Sequence, residues 1–311
     1  VDARCAPIAP LDRHSLAPGV SGITFHSSYA MVLSMRTRLL PFGIAMLGWG
    51  TPVRAQTPPT APRTFPTAAF DSVARTAAWL AQYDRVAWET SALVTAAVPH
   101  LTPDRVDRIG AEWFCFERDS IWHAVYGRYD ATRRRYDVVL HYSGRPGQSF
   151  VAATTPLDTA LTARYGRALQ MTRARLPAEV RDEGVQLTTF VRPRADGSLD
   201  VWYLPAFQPD GWAVYGIELR YTLDPDARRL TDSTAIIATL RGSLLDSTVT
   251  IEIDNERNPI PTVGQAFFAT VYASRFDAIV IHDRDFISEF AMIDGRRGWV
   301  HDRRERPPPG E

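Results

Sequence analysis

From Ala213 to Leu223 the chain alternates with a period of two. Tyr215, Ile217, Leu219, Tyr221 and Leu223 fall on one side; Glu218, Arg220 and Thr222 fall on the other. That spacing suits an extended strand, in which successive side chains point to opposite faces. Val249, Ile251 and Ile253 repeat it against Thr248, Thr250 and Glu252. Alternation of this kind implies one packed face and one wet face, the habit of antiparallel sheets. Asp196-Gly197 and Asp294-Gly295 read as hairpin turns, because glycine takes the positive φ that tight turns need. Turns this short join antiparallel strands and cannot join parallel ones.

Upstream, Trp113–Glu117, Ile121–Arg128 and Arg135–Tyr142 read as a three-strand meander. From Ala68 to Ala97 the periodicity changes: Val73, Ala77, Leu80, Tyr83, Ala87 and Val94 recur at helical spacing, with Thr67 as a cap. A short helix follows Thr102-Pro103 and ends at Gly110; another opens at Thr155-Pro156 and runs to about Arg175. From Val185 onward the strand signal is nearly continuous. The expected fold is therefore α+β: a large, curved, mainly antiparallel sheet of about ten strands, with two long helices packed on one face. A single domain would span residues 67–302. A transmembrane β-barrel would share the alternation, but three internal helices and a charged, Pro-rich C-terminus argue against it.

The N-terminal part reads as an address. Met35-Arg36-Thr37-Arg38 is a basic start, Leu39 to Gly50 a short apolar run, and Thr51 to Ala55 a small-residue end. This is the form of a bacterial-type signal peptide over 35–55, cleaved before Gln56. The apolar run is too short to anchor in a hydrocarbon core ~30 Å thick. Residues 1–34 read as a disordered extension of the gene model, with the true start at Met31 or Met35. Residues 56–66 form a Pro/Thr linker, and 303–311 a disordered tail. The expected location is the periplasm or the exterior, as a soluble protein without membrane insertion after cleavage.

Charge narrows the chemistry. The formal net charge is zero, so no basic field points to nucleic acid. Beyond residue 55 the chain keeps 30 Arg against 33 Asp and Glu, a formal charge of −3. All 35 cationic residues are arginine, which excludes Schiff-base, Walker-lysine and Ser-Lys chemistry. Past the leader only Cys115 remains; it sits among Trp113, Phe114 and Phe116 and reads as a buried, inert thiol. GxSxG, HExxH, Walker, GxGxxG and CxxC motifs are absent from the sequence. No cofactor or metal is expected.

Two groups of residues are the candidate sites. His282, Asp283 and Asp285 close one strand, and His301 closes the next; the turn at Gly295 would bring them together as an acid/base or hydrolytic pair. Trp202, Tyr203, Trp212 and Arg220 offer aromatic faces and a cation on a sheet, the equipment of a ligand surface. His123 is expected to face an apolar surface, and His141 to lie on the polar side with Asp137 and Arg135. The reading favours non-catalytic binding of a small ligand or a cell-envelope partner; a periplasmic or secreted hydrolase at the His/Asp cluster is the alternative.

Overall fold

A computed structural model describes residues 64–305 apart from 111, 179, 181–185, 206–210 and 245–249, and without the side chains of 238–240 and 244. The expected leader at 35–55 and the segment 1–34 lie outside the described residues, as do most of the linker and of the tail. The described chain is α+β, with twelve strands in three four-stranded sheets. The first sheet runs in order β1 (Phe114–Arg118), β2 (Ile121–Asp130), β3 (Arg135–Gly144), β4 (Val151–Ala152). The second follows the same simple order: β5 (Leu187–Pro193), β6 (Leu199–Pro205), β7 (Trp212–Leu223), β8 (Leu230–Leu244). The third contains β9 (Ile251–Asn255), β10 (Ala278–Asp283), β11 (Phe286–Ile293) and β12 (Arg296–Arg303), again with sequence neighbours side by side. The helices are α1 (Thr67–Ala97), α2 (Pro103–Val106), α3 (Thr159–Arg173) and α4 (Val263–Tyr272).

The single ten-strand sheet is thus replaced by three sheets. The physical reason lies in the connections. Hairpins build each sheet, but α3 intervenes between β4, the last strand of the first sheet, and β5, the first of the second; α4 lies inside the third sheet, between β9 and β10. The α4 crossover returns the chain in the same direction, so β9 and β10 pair in parallel.

The two long helices do not share a face. Phe114, Val125, Val191, Val201 and Leu219 pack with Tyr165 and Leu169 of α3. Their alternating neighbours Cys115, Ala124, Phe190, Trp202 and Leu204 pack with Leu80 and Tyr83 of α1 and with Phe267 of α4. β1 lies alongside β5, so the first two sheets present these two faces together. Hydroxyls pin both helices: Tyr83 Oη accepts from the Cys115 N–H at 2.8 Å, and Thr172 meets the Tyr203 hydroxyl at 2.8 Å.

Covering both faces overturns the expected wet face of β7. Glu218 and Thr222 are buried, and so is Asp200 on the adjoining strand. Each has a partner: Thr222 donates to Asp200 at 2.7 Å, and the Gly264 N–H donates to Glu218 at 2.7 Å. Buried polar groups persist only when bonded in this way. The boundaries also shift. Phe65, expected in the linker, stacks on His301 at 3.7 Å; Arg303, expected in the tail, closes β12. No helix among the described residues is long and apolar enough to cross a membrane.

Candidate functional site

The β7–β8 hairpin and the β9–α4 connection enclose a cleft of about 640 Å³. Its aliphatic wall comes from Ile217, Ile236 and Ile237 of the hairpin. Phe267, Phe268 and Tyr272 of α4 supply an aromatic wall. The rim is polar, with Tyr215, Arg241, Asp254, Arg257 and Asn258. The backbone makes the opening. Gly216 takes φ 111°, where the β7–β8 register shifts between Tyr215 and Ile217. That irregularity bends the hairpin, as bulges do. The crossover adds a second device: the carboxyl end of β9 and the start of α4 both line the cleft.

Glu218 is the charged group at the base. It projects from β7 onto the first turn of α4. Its carboxylate accepts from the Gly264 N–H, and the Thr262 hydroxyl also bonds it. Thr262 in turn accepts from the Gln265 N–H, and Gln265 accepts from the Thr262 N–H, a complete capping box. Burial still raises the Glu218 carboxyl above its ordinary range, with those hydrogen bonds and Arg220 acting in the other direction. The helix start is therefore already occupied by a carboxyl group, which leaves a poor place for a second acid or anion.

The His/Asp cluster divides between the two faces of the third sheet. Asp283 is fully buried. It accepts from Asn255 Nδ2 at 2.6 Å and from the Ser288 hydroxyl. His301 Nδ1 lies 2.9 Å from Ser288 Oγ. With the Ser288 proton directed at Asp283, His301 donates from Nδ1, which leaves Nε2 as the basic nitrogen. Burial pushes Asp283 up to about 6 and His301 down to about 4. Asn255 continues this chain to the cleft, where Asn258 Nδ2 donates to Asn255 Oδ1 at 2.7 Å.

His282 points the other way, because neighbours on a strand alternate. Its Nε2 lies 3.5 Å from a Glu252 carboxylate oxygen on the opposite face. Asp285 follows the end of β10, where its carbonyl accepts from the Arg304 N–H. The four residues therefore do not converge. Ser288 bridges Asp283 and His301, but it is fully buried, and the ring of His301 is stacked under Phe65. A nucleophile needs access to its substrate, and this serine lacks it. No group of three or more His, Cys, Asp or Glu among the described residues is placed to hold a metal ion.

The aromatic candidates also separate. Trp202 and Tyr203 are both buried, on opposite faces of β6, as core residues. Arg220 lies over the Trp202 ring at 5.6 Å and pairs with Asp232 at 2.9 Å. Trp212 is 39% exposed at the start of β7. None of the four lines the cleft.

The cleft residues missed in the sequence cluster around α4, where the chain read as strand. The signal was present: Thr262-x-x-Gln265 after Pro261 is a helix start. A run of buried residues from Ala266 to Ala269 masked it, because an apolar run has no period to read. Fold and site together define an α+β protein with a partly enclosed, ligand-sized cleft. Comparisons with protein-family models, with curated proteins and with solved structures give no match to this chain.

Proposed function

We propose that the protein is an exported, non-catalytic binding module whose cleft takes one small molecule. The observation that carries the reading is the cleft itself: about 640 Å³, with aliphatic and aromatic walls and a few placed polar groups. Ligand sites have this size and make-up. A small ligand fits better than an envelope protein, since a concave space of this volume suits a molecule more than a surface. The buried Glu218 carboxylate at the base favours a neutral or cationic polar end over an anionic one. The leader-like segment at 35–55 supports export to the periplasm or the exterior.

A thermal-shift panel grouped by ligand charge tests this. A ligand at one hundred times its Kd adds about 2.7 kcal/mol to stability. We expect neutral or cationic compounds to raise the Tm of the wild type and to lose that effect in Ile236→Trp, which fills the cleft. If no compound class shifts the wild type, or if the filled variant responds equally, the reading fails.

The hydrolase alternative rests on the hydrogen-bonded set Asp283, Ser288 and His301. Burial of Ser288 makes it the weaker reading. Ester or peptide turnover that disappears in His301→Ala with the fold intact would restore it.

A further inference from the structure

Two imidazoles on the first sheet stand apart from the cleft. His123 on β2 pairs across the ladder with Ser143, and His141 on β3 pairs with Val125. The two rings therefore share a face on a diagonal, within reach of each other. His123 Nδ1 lies 3.0 Å from His141 Nε2. Phe116 stacks on His123 at 4.8 Å and 15°, which fixes the plane of that ring. Both rings are half-buried, so solvent still reaches the pair. Burial lowers the basicity of each, His141 to about 4. The charged or titratable groups acting on them are Arg118 on His123 and His123 on His141. Neutral imidazole is the form that binds metals.

We propose that His123 and His141 form a two-imidazole site for a borderline divalent transition ion, Cu²⁺ foremost, with water in the remaining positions. The spacing argues for this geometry. Two nitrogens bound at about 2.05 Å are about 2.9 Å apart at a right angle and about 3.3 Å apart at a tetrahedral angle. At 3.0 Å, a hydrogen bond in the free pair, the two nitrogens are already close enough to take adjacent positions on one ion after a small tilt of the rings. Tetragonal nitrogen and oxygen coordination is the preference of Cu²⁺ and Ni²⁺, and Cu²⁺ stands at the top of the affinity order. Loading needs no net proton loss. In the free pair one ring holds its proton between the two nitrogens; that ring moves its proton to the far nitrogen, and two lone pairs then face the gap. The Arg118 guanidinium, 5.8 Å from the Phe116 ring, opposes a cation and limits the affinity.

Copper(II) titration of the full chain, followed by electron paramagnetic resonance, tests the site. We expect one equivalent with a tetragonal spectrum and coupling to two nitrogens. His123→Ala and His141→Ala should each weaken binding by about tenfold or more, since removing even an outer-shell partner costs 10–100-fold. His282→Ala should leave it unchanged. His141→Gln, which keeps a polar side chain, guards against loss of fold, checked by far-UV circular dichroism. Equal copper signals in the wild type and in folded His123 or His141 variants would overturn the proposal. So would a wild type that takes up no saturable equivalent.

Discussion

A Cβ added to Gly264 would sit 2.8 Å from the Glu218 carboxylate oxygen that its own N–H binds. At the start of α4 only a hydrogen leaves room for that carboxylate. Gly264→Ala forces Glu218 or the first turn to move, and a buried carboxylate loses a donor. The expected cost is about 1–3 kcal/mol, read from urea unfolding. A variant as stable as the wild type would mean that the carboxylate has another place to go. The Asp283 chain gives a second residue-scale expectation. Asp283, raised to about 6 from an ordinary 3.8, keeps its proton in the fold after the unfolded chain has lost it. Stability from this group therefore falls as pH rises between about 4 and 6. His301, lowered to about 4 from 6.5, contributes the opposite slope, because the unfolded chain takes up the proton first. Asp283→Asn removes the first slope and keeps the second. Its stability should climb more steeply with pH across that window than that of the wild type; parallel curves would refute the assignment. Single residues also show where sequence reading stops. His141 read as lying beside Asp137, but Val139 is skipped in the β2–β3 ladder, and the bulge reverses the alternation beyond it. A one-residue irregularity leaves no mark in composition.

Elements were legible wherever their signal was local. The meander β1–β3 follows the expected ranges closely, and α1 does so to within a residue. Both Asp-Gly turns place glycine at positive φ. At the second, Asp294 and Gly295 are both left-handed, at 49° and 78°. Gly295→Val should therefore cost about 1–2 kcal/mol by thermal unfolding, with nothing nearby for the side chain to strike. An unchanged Tm would show that the turn rearranges freely. The helix α3 starts at Thr159, later than expected, because the Asp158 side chain accepts from the Ala160 and Leu161 N–H groups. Helix α4 was not legible, and the parallel β9–β10 pair was lost with it, since a parallel pair exists only by virtue of its crossover. Thr262→Ala tests how much the capping box matters. It should cost about 1 kcal/mol, and it should also release one bond to Glu218.

At the scale of the molecule, the candidate site depends on contacts that no local pattern reveals. The cleft walls come from β7, β8, the β9–α4 turn and α4, and its floor is tied through Asn255 to Asp283 of β10. Each piece reads as an ordinary strand or loop until the chain closes. The wet face expected for β7 failed for the same reason: alternation tells which residues share a side, and only the packing of α1 and α4 decides what covers it.

The partnership of α1 with α4 also sets a timetable. Leu80 and Tyr83 share a core with Ala266 and Phe267, and strands β1 to β9 lie between them. When the chain is delivered from its N-terminus, α1 meets β1 and β2 early, but the part of its flank that α4 covers waits until β1 to β9 have been made. Distant partners of this kind slow assembly and expose sticky intermediates. A chain ending at residue 250 should bind a hydrophobic dye strongly and be cut by protease within 67–97, and a compact, protease-resistant fragment would disprove it. A helper that shields Leu80 and its neighbours during that wait would serve this protein from its first seconds.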